Sequence, residues 1–480
     1  MFNKVLHQAM RGKDRVALVC GRQRLSHAGL AAAVASWAGA LQAEGLRPGD
    51  RLGVSLRERP EHVVALLAAA TAGLTILPLD WRAPPAERAR LATAFGASAV
   101  LTEPGGAPPP GCRVIPVDAG WCDRAARAPA LPVAVADPAQ PLLFNMTSGT
   151  SGEPKAAVVT QGDFEARLAR QAEVHGQLDG HRYLSAAPLC FSGGLMYCLY
   201  HLVTGNTVLL YPPLFSAGEL VQLVRDNGIS YVFLVPTALR WLLRLEAGDE
   251  PLLPDVRVLL TSAAPITAAE KLAVRERVCP NFFESYATSA AGTIAALRPA
   301  DLPAHADSVG RPLRSIEMQI VDDDGGVVGA GVSGRVRCRG AGVSGELLAS
   351  GGVTALAERL DGGWYYTGDL GRLGEDGFLH LVGRADGMII RGGVNVRPGL
   401  IEQALRAHPA VADVAVVGRP SADLGEEVVA FVQPGRTVSA ADLLAHCRGC
   451  LPGHMVPARI EFLTEFPRSA AGKIRRSELP

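Results

Sequence analysis

The sequence predicts an α/β protein with a large amino-terminal portion of layered βα units, a smaller β-barrel-like antiparallel portion and a small α+β domain at the carboxyl end. Three observations predict it. Short apolar runs alternate with helix-forming stretches from Asp14 to about residue 300, the pattern of a largely parallel sheet covered by helices. From Ser308 the texture changes to period-two alternation broken by Gly- and Asp-containing turns, the signal of antiparallel hairpins. A further change falls near Gly383-Arg384-Ala385-Asp386, and the remaining stretch is long enough for a compact domain of its own. These breaks divide the chain into residues 1–384 and 385–480.

In order along the chain, residues 16–19 read as a strand, and Ser26 is placed to cap an alanine-rich helix running to about Glu44. A turn over 46–50 leads into a strand ending at Ser55, a helix follows Pro60, and 74–79 is the next strand. Residues 107–111 and the Pro- and Ala-rich 128–141 segment are surface connections. The βα rhythm resumes with a helix over 217–227, a strand at 232–235, a helix at 238–246 and a strand at 256–261. Residues 317–321 and 334–339 are antiparallel strands. G-x-G-x-x-G occurs at Gly329–Gly334 and at Gly340–Gly345, but neither opens a βαβ helix, so both are hairpin turns and not dinucleotide sites. The last domain reads as a strand at 388–390, a glycine turn, a helix through 402–405, strands at 414–417 and 428–432, and a helix around 443–447.

Composition narrows the function. The chain has 480 residues, 48% of them hydrophobic, and Lys plus Arg balance Asp plus Glu at 47 each. A neutral, apolar-rich chain is globular and has no basic surface for nucleic acid or anionic membrane, which leaves a small-molecule partner. The start lacks the apolar core of a signal peptide. The longest apolar run, 63–77, is broken by Thr71, Gly73 and Thr75 and is too short to span a bilayer. Nine scattered cysteines fit reduced thiols in a cytoplasm. Cys447-Arg-Gly-Cys450 has no second pair, so packing is expected there, not zinc or redox chemistry.

The chemistry centres on Met146-Thr-Ser-Gly-Thr-Ser-Gly-Glu-Pro-Lys155. Hydroxyls of Thr147, Ser148, Thr150 and Ser151, with backbone N–H groups freed by Gly149 and Gly152, form a concavity suited to phosphate oxygens. Lys155 adds a point charge. Leu142-Leu-Phe144 before the loop and Ala156-Ala-Val-Val159 after it are strand-like, so the loop joins two strands. A Walker loop needs a following helix and Gly-Lys-Ser/Thr, and neither is present. No G-x-S-x-G elbow of a serine hydrolase occurs.

This loop resembles that of the adenylate-forming superfamily, which holds acyl- and aryl-CoA synthetases, peptide-synthetase adenylation domains and luciferases. Ser285-Tyr-Ala-Thr-Ser-Ala290, Ser308-Val-Gly-Arg-Pro312, Tyr366-Thr-Gly-Asp369, Gly383-Arg384-x-Asp386 and Pro467-Arg-Ser-Ala-Ala-Gly-Lys473 follow in the family's order. The resemblance covers nearly the whole chain. It implies ATP-dependent activation of a carboxylic acid as an acyl-adenylate, then transfer to a thiol, with ATP, Mg2+ and CoA as cofactors. It further implies that Thr147, Lys155 and Lys473 serve the reaction, and that Ser285, Tyr286, Ala287, Ser289, Asp369 and Arg384 bind the nucleotide. Phe191, Gly193, Ser262, Ala263, Ala264 and Thr288 would line the acyl pocket, and Asp386 would be the hinge of a mobile carboxyl-terminal domain. Arg391-Gly-Gly-Val-Asn395 resembles the turn of the CoA-using branch, so Gly392, Gly393 and Asn395 are assigned to a CoA channel. A carrier-protein phosphopantetheine as acceptor, or a degenerate nucleotide-binding homologue, are the alternatives. Two departures stand out: Ala290 replaces a Glu that helps hold Mg2+, and Phe191 stands where His is common.

Overall fold

A helix that is apolar on every side has to be enclosed, and Pro60–Thr71 is one, buried at each residue from His62 to Ala70. Val63, Leu66 and Leu67 share a core with Leu18 and Tyr183 of one sheet and with Leu52 and Leu143 of another. The protein, a computed structural model, is described at residues 2–83, 85–105, 111–131, 137–147, 155–176, 179–211, 216–246, 248–349, 352–354, 360–384, 389–391, 394–396, 398–421, 425–451, 453–469 and 472–480.

The first sheet runs, side by side, Arg311–Pro312, Gly292–Leu297, Phe282–Thr288, Val258–Thr261, Tyr231–Leu234, Arg182–Ser185, Thr207–Leu210, Val16–Cys20 and Gln23–Ser26. From Phe282–Thr288 to Val16–Cys20 all pairings are parallel, and the edges are antiparallel. The second runs Gly352–Thr354, Leu347–Ala349, Lys155–Thr160, Pro141–Thr147, Thr75–Pro78, Arg51–Ser55, Ala99–Thr102 and Val114–Pro116. The layered unit expected from the sequence is thus two sheets about shared helices. Residues 347–354, which the sequence groups with the hairpin portion, return to the second sheet by pairing Leu347 with Ala157.

The antiparallel portion comprises Glu317–Val321, Gly334–Arg339, Leu360–Asp361, Trp364–Leu373 and Leu379–Arg384. The first G-x-G-x-x-G string ends the connection between the antiparallel partners Glu317–Val321 and Gly334–Arg339, as expected, whereas the second, Gly340–Gly345, crosses from Gly334–Arg339 to Leu347–Ala349 of the second sheet and is not a hairpin turn. Its Ile320, Val336, Cys338 and Leu379 pack with Tyr286, Ile294 and Ala295 of the first sheet.

The carboxyl-terminal unit has its own sheet of Val394–Val396, Ile389–Arg391, Gly425–Pro434, Val411–Ser421 and Arg459–Phe462. Helices Pro398–Arg406 and Ala440–Cys450 close its core. Cys447 is buried there, Cys450 is exposed with its Sγ bonded to the His446 carbonyl, and all nine cysteines are free.

Local chemistry explains several boundaries. Ser26 Oγ accepts from Gly29 N at 3.1 Å and starts helix His27–Ala43 as expected. Thr160 and Asp163 form a reciprocal capping box that starts Gln161–His175, a helix the sequence reading passed over, as it did Phe2–Arg11. Among the described residues no helix is long and apolar enough to cross a membrane.

Candidate active site

The polar loop joins two strands, as the flanks require: Pro141–Thr147 and Lys155–Thr160 are antiparallel, with Thr147 opposite Lys155. Ser148, Gly149, Thr150, Ser151 and Gly152 lie outside the described residues, as do Asp386, Gly392 and Gly393. The side chains of Thr147, Arg384 and Asn395 are also outside the description.

The stem below the loop carries a residue that sequence reasoning missed. Asn145 is 3% exposed, and a buried amide needs partners. Its Nδ2 donates to Ser192 Oγ and to the Ser289 carbonyl, each at 2.9 Å. Ser289 Oγ in turn donates to the Met146 carbonyl at 3.2 Å. Ser192 opens the helix Ser192–Val203 that Phe191 caps. Loop stem, helix start and the turn after Tyr286 therefore meet at Asn145, with Ser289 bonded back to the stem. The signal was visible as one polar residue inside the apolar run Leu142-Leu-Phe-Asn-Met146.

The turn itself closes by Ala291 N donating to Thr288 Oγ1 at 3.0 Å. Ala290 is 0% exposed and clusters with Tyr286, Ile294, Ile316 and Cys338. Where a magnesium-binding carboxylate is expected there is a buried methyl. No group of three or more His, Cys, Asp or Glu that could hold an ion occurs among the described residues. The described residues do not supply a protein-ligated Mg2+ site of the kind hard cations prefer.

Three nucleoside candidates come together. Tyr286 donates its hydroxyl to Asp369 Oδ2 at 2.6 Å, and Asp369 faces Arg384 across the pair of strands Trp364–Leu373 and Leu379–Arg384. Burial, then the Asp369 carboxylate, raises the Tyr286 pKa well above its ordinary value. At 7% exposure the ring is packed into protein, so its evident work in this conformation is to hold Asp369. Ser285 offers its carbonyl to Ser262 Oγ at 2.7 Å, while its own hydroxyl is buried without a hydrogen-bond partner among the described residues. Ala287 is exposed.

The pocket candidates gather where the parallel strands 231–234, 258–261 and 282–288 end, the side on which open α/β sheets bind ligands. Phe191, Gly193 and Thr288 are half-buried, and Ala263 and Ala264 are exposed. Glycine is required at the helix start. A Cβ on Gly193 would lie 2.7 Å from Phe233 Cε1, and one on Gly194 2.2 Å from the Pro188 carbonyl oxygen. Phe233 stacks on Tyr197 at 5.0 Å between centroids, forming an aromatic floor. Ala263 holds φ at +78°, the single positive value at a non-glycine among the described residues.

Lys473 belongs to the other domain and is exposed. Its loop is stapled to that domain. Ser469 N donates to the Lys473 carbonyl at 2.8 Å, Arg468 pairs with Asp413, Arg476 Nη2 meets Glu402 Oε1 at 2.7 Å, and Arg419 Nη2 donates to the Leu479 carbonyl at 2.8 Å. Phe466 and Leu479 pack with Val429 and Phe431 beneath it. Glu87 of helix Pro85–Ala94 is held below the usual carboxylate range by Arg90 first and, more weakly, by Arg475, so the stapled tail comes within electrostatic reach of the large domain.

A parallel sheet whose ligand side meets the stem of a hydroxyl-rich loop, with Tyr286 bonded to Asp369 beside it and a lysine carried by a second domain, defines a nucleotide-dependent carboxylate-activating enzyme. The chain belongs to the AMP-binding enzyme family, whose model matches residues 5–348, with that of the family's C-terminal domain matching 400–473. Within it, the chain is a ligase of the AMP-forming acid–thiol type. It is 32% identical to indoleacetate–CoA ligase of Aromatoleum aromaticum, over 95% of this chain and 92% of that one. It is 31% identical to feruloyl-CoA synthase of an Amycolatopsis species, over 96% and 94%. Among solved structures, o-succinylbenzoate CoA synthetase from Bacillus subtilis with its acyl-adenylate intermediate superposes with a TM-score of 0.89 at 27% identity, covering 99% of this chain and 97% of that one. The same synthetase with ATP and magnesium gives 0.88 at 26% identity, over 99% of both chains.

Proposed function

We propose that this chain activates an aryl or medium-length acyl monocarboxylate with ATP and transfers it to CoA. The observation that carries the reading is the junction at Asn145 and Ser289. Asn145 of the loop stem donates both to Ser192 of the pocket helix and to the Ser289 carbonyl, and Ser289 Oγ donates back to the Met146 carbonyl of the stem, so a bound acid and a bound triphosphate would be neighbours.

Attack of a carboxylate on the α-phosphorus brings two anions together, so N–H donors and cations have to absorb the charge that builds up. In this reading Thr147 and Lys155 hold the phosphates at the mouth of the loop, Asp369 and Arg384 hold the ribose, and Ser285 and Ala287 border the adenine. Lys473 joins them in a first pose of the small domain, pivoting near Asp386, and leaves in a second that admits the thiol past Gly392, Gly393 and Asn395. ATP with Mg2+ and CoA are the cosubstrates. The pocket side chains support an apolar acid: Phe191, Phe233, Tyr197, Ala263 and Ala264 offer no charge to pair with an ammonium or a second carboxylate. Two relatives, by name, act on indoleacetate and ferulate. Nine free thiols fit a reducing compartment such as the cytoplasm.

The test measures acid-dependent AMP release with free CoA and with a phosphopantetheinylated carrier protein. Stimulation by CoA is expected. Stimulation by the carrier alone would make this a carrier-loading enzyme, and silence across a panel of acids, with ATP still bound, would make it a nucleotide-binding homologue without activity.

A further inference from the structure

Beneath the turn that carries Ser289 and Ala290 lie two arginines from one face of helix Gln161–His175. Arg167 and Arg170 are 2% and 1% exposed. Arg167 donates to the carbonyls of Gly342 at 2.8 Å, Ser289 at 3.3 Å and Ala290, and to Ser344 Oγ at 3.0 Å. Arg170 donates to the carbonyls of Ala291 at 2.7 Å, Thr293 at 2.9 Å and Ala341. Room is made by glycines. A Cβ on Gly292 would approach Arg167 Cδ to 3.1 Å, and one on Gly342 would approach Arg170 Nη2 to 3.0 Å. Among the described residues neither guanidinium contacts a carboxylate. Asp163, one turn earlier, accepts from the Thr160 backbone N–H instead. Burial pulls the pKa of both arginines down.

Two buried like charges three residues apart, held by backbone carbonyls and one hydroxyl with no carboxylate in contact among the described residues, are an expensive arrangement. They lie against the backbone of the very turn whose acidic residue is missing. A buried charge is poorly screened, so its potential extends through the turn to whatever lies above Ser289. We propose that Arg167 and Arg170 are positioning residues forming a fixed cationic platform under the Thr288–Gly292 turn, which holds the ATP polyphosphate in place of a protein-ligated magnesium. The proposal rests on the proposed reading that the triphosphate lies at the loop of Thr147 and Lys155, whose stem is bonded to this turn through Ser289. Magnesium then enters as the counter-ion of ATP and not as a ligand of the protein.

The experiment is calorimetric titration of the full chain with ATP, pyrophosphate and adenosine, in EDTA and in excess magnesium. For the unaltered protein the ATP Kd in EDTA is expected within about tenfold of that in magnesium. Arg170→Met is expected to weaken ATP and pyrophosphate about tenfold in EDTA while leaving adenosine within about twofold, because a charge acts on the anion and not on the nucleoside. Equal weakening of adenosine would show a merely structural role and overturn the proposal, as would no change in any ligand. Loss of ATP binding in EDTA alone, in the unaltered protein, would overturn it without touching the proposed function. Absence of ATP binding under both conditions would overturn both.

Discussion

Replacing Lys271 by methionine keeps the length of the side chain and removes its charge. Lys271 Nζ lies 2.5 Å from Glu284 Oε2 and 2.7 Å from the Ser308 carbonyl, with the paired side chains 3% and 7% exposed. Taking one member from a buried pair strands the other, at a cost of about 3–5 kcal/mol. The Glu284 carboxyl is already pushed up by burial, with Lys271 pulling it back, and in the variant that pull is gone. A carboxyl whose folded pKa exceeds its unfolded one gives stability that is present at low pH and lost as pH rises through the folded value. The penalty of Lys271→Met should therefore be small near the acid end and full above neutrality. Urea unfolding of variant and parent, followed by tryptophan fluorescence across that range, reads it directly. The double variant Lys271→Met/Glu284→Leu, with no stranded charge, should regain most of the loss. An equal penalty at all pH values, or a double variant no better than the single, would refute the reasoning. Glu284 immediately precedes Ser285 and Tyr286 on its strand, so the KM for ATP should rise with the same pH dependence.

Four other outcomes are expected. Lys473→Ala should abolish acid-dependent pyrophosphate exchange yet leave thioester formation from supplied acyl-adenylate largely intact; equal loss of both would contradict the two-pose reading. Gly194→Ala forces a Cβ to within 2.2 Å of the Pro188 oxygen and 2.6 Å of the Ala187 oxygen, an overpacking worth about 1–3 kcal/mol, seen as a lowered Tm and a raised KM for the acid. Ala263→Gly removes the strain of a positive φ and should stabilise by up to about 1 kcal/mol, offset by a looser pocket; a fall in Tm would count against strain at that turn. His62 and His175 are lowered by burial to about 4 and about 3. Each is neutral in the fold and charged when unfolded below about 6.5, so stability should fall on acidification by about 2 kcal/mol per histidine at about pH 5, measurable as a Tm that drops between neutrality and that point.

What the sequence disclosed and what it withheld divide along one physical line. Loop, caps and strand types rest on neighbours in the chain. Apolar flanks on either side of 147–155 were enough to name a strand pair, and Ser26 enough to place a helix start. The arginines of helix 161–175 carry no such mark, since a helix with Asp, Glu and Arg at close spacing ordinarily faces water; only the distant carbonyls at 289–293 and 341–342 bury them. Lys271 and Glu284 likewise become a pair through packing of helix Ala268–Arg277 on its strand. Strands 347–349 and 352–354 carry no mark in the hairpin-like texture after Ser308, because pairing with residues near 156 is a matter of tertiary register. Asn145 was legible in principle, as a polar residue interrupting an apolar run.

The stapled tail has a consequence for anyone who wants to watch this enzyme turn over. With Arg468, Arg476 and Arg419 clamping the segment, the backbone that carries Lys473 has little slack of its own. The reactivity of the Lys473 ammonium toward an amine-selective label would then act as a compass needle for the entire small domain, one chemical reading giving the direction in which some hundred residues are pointing.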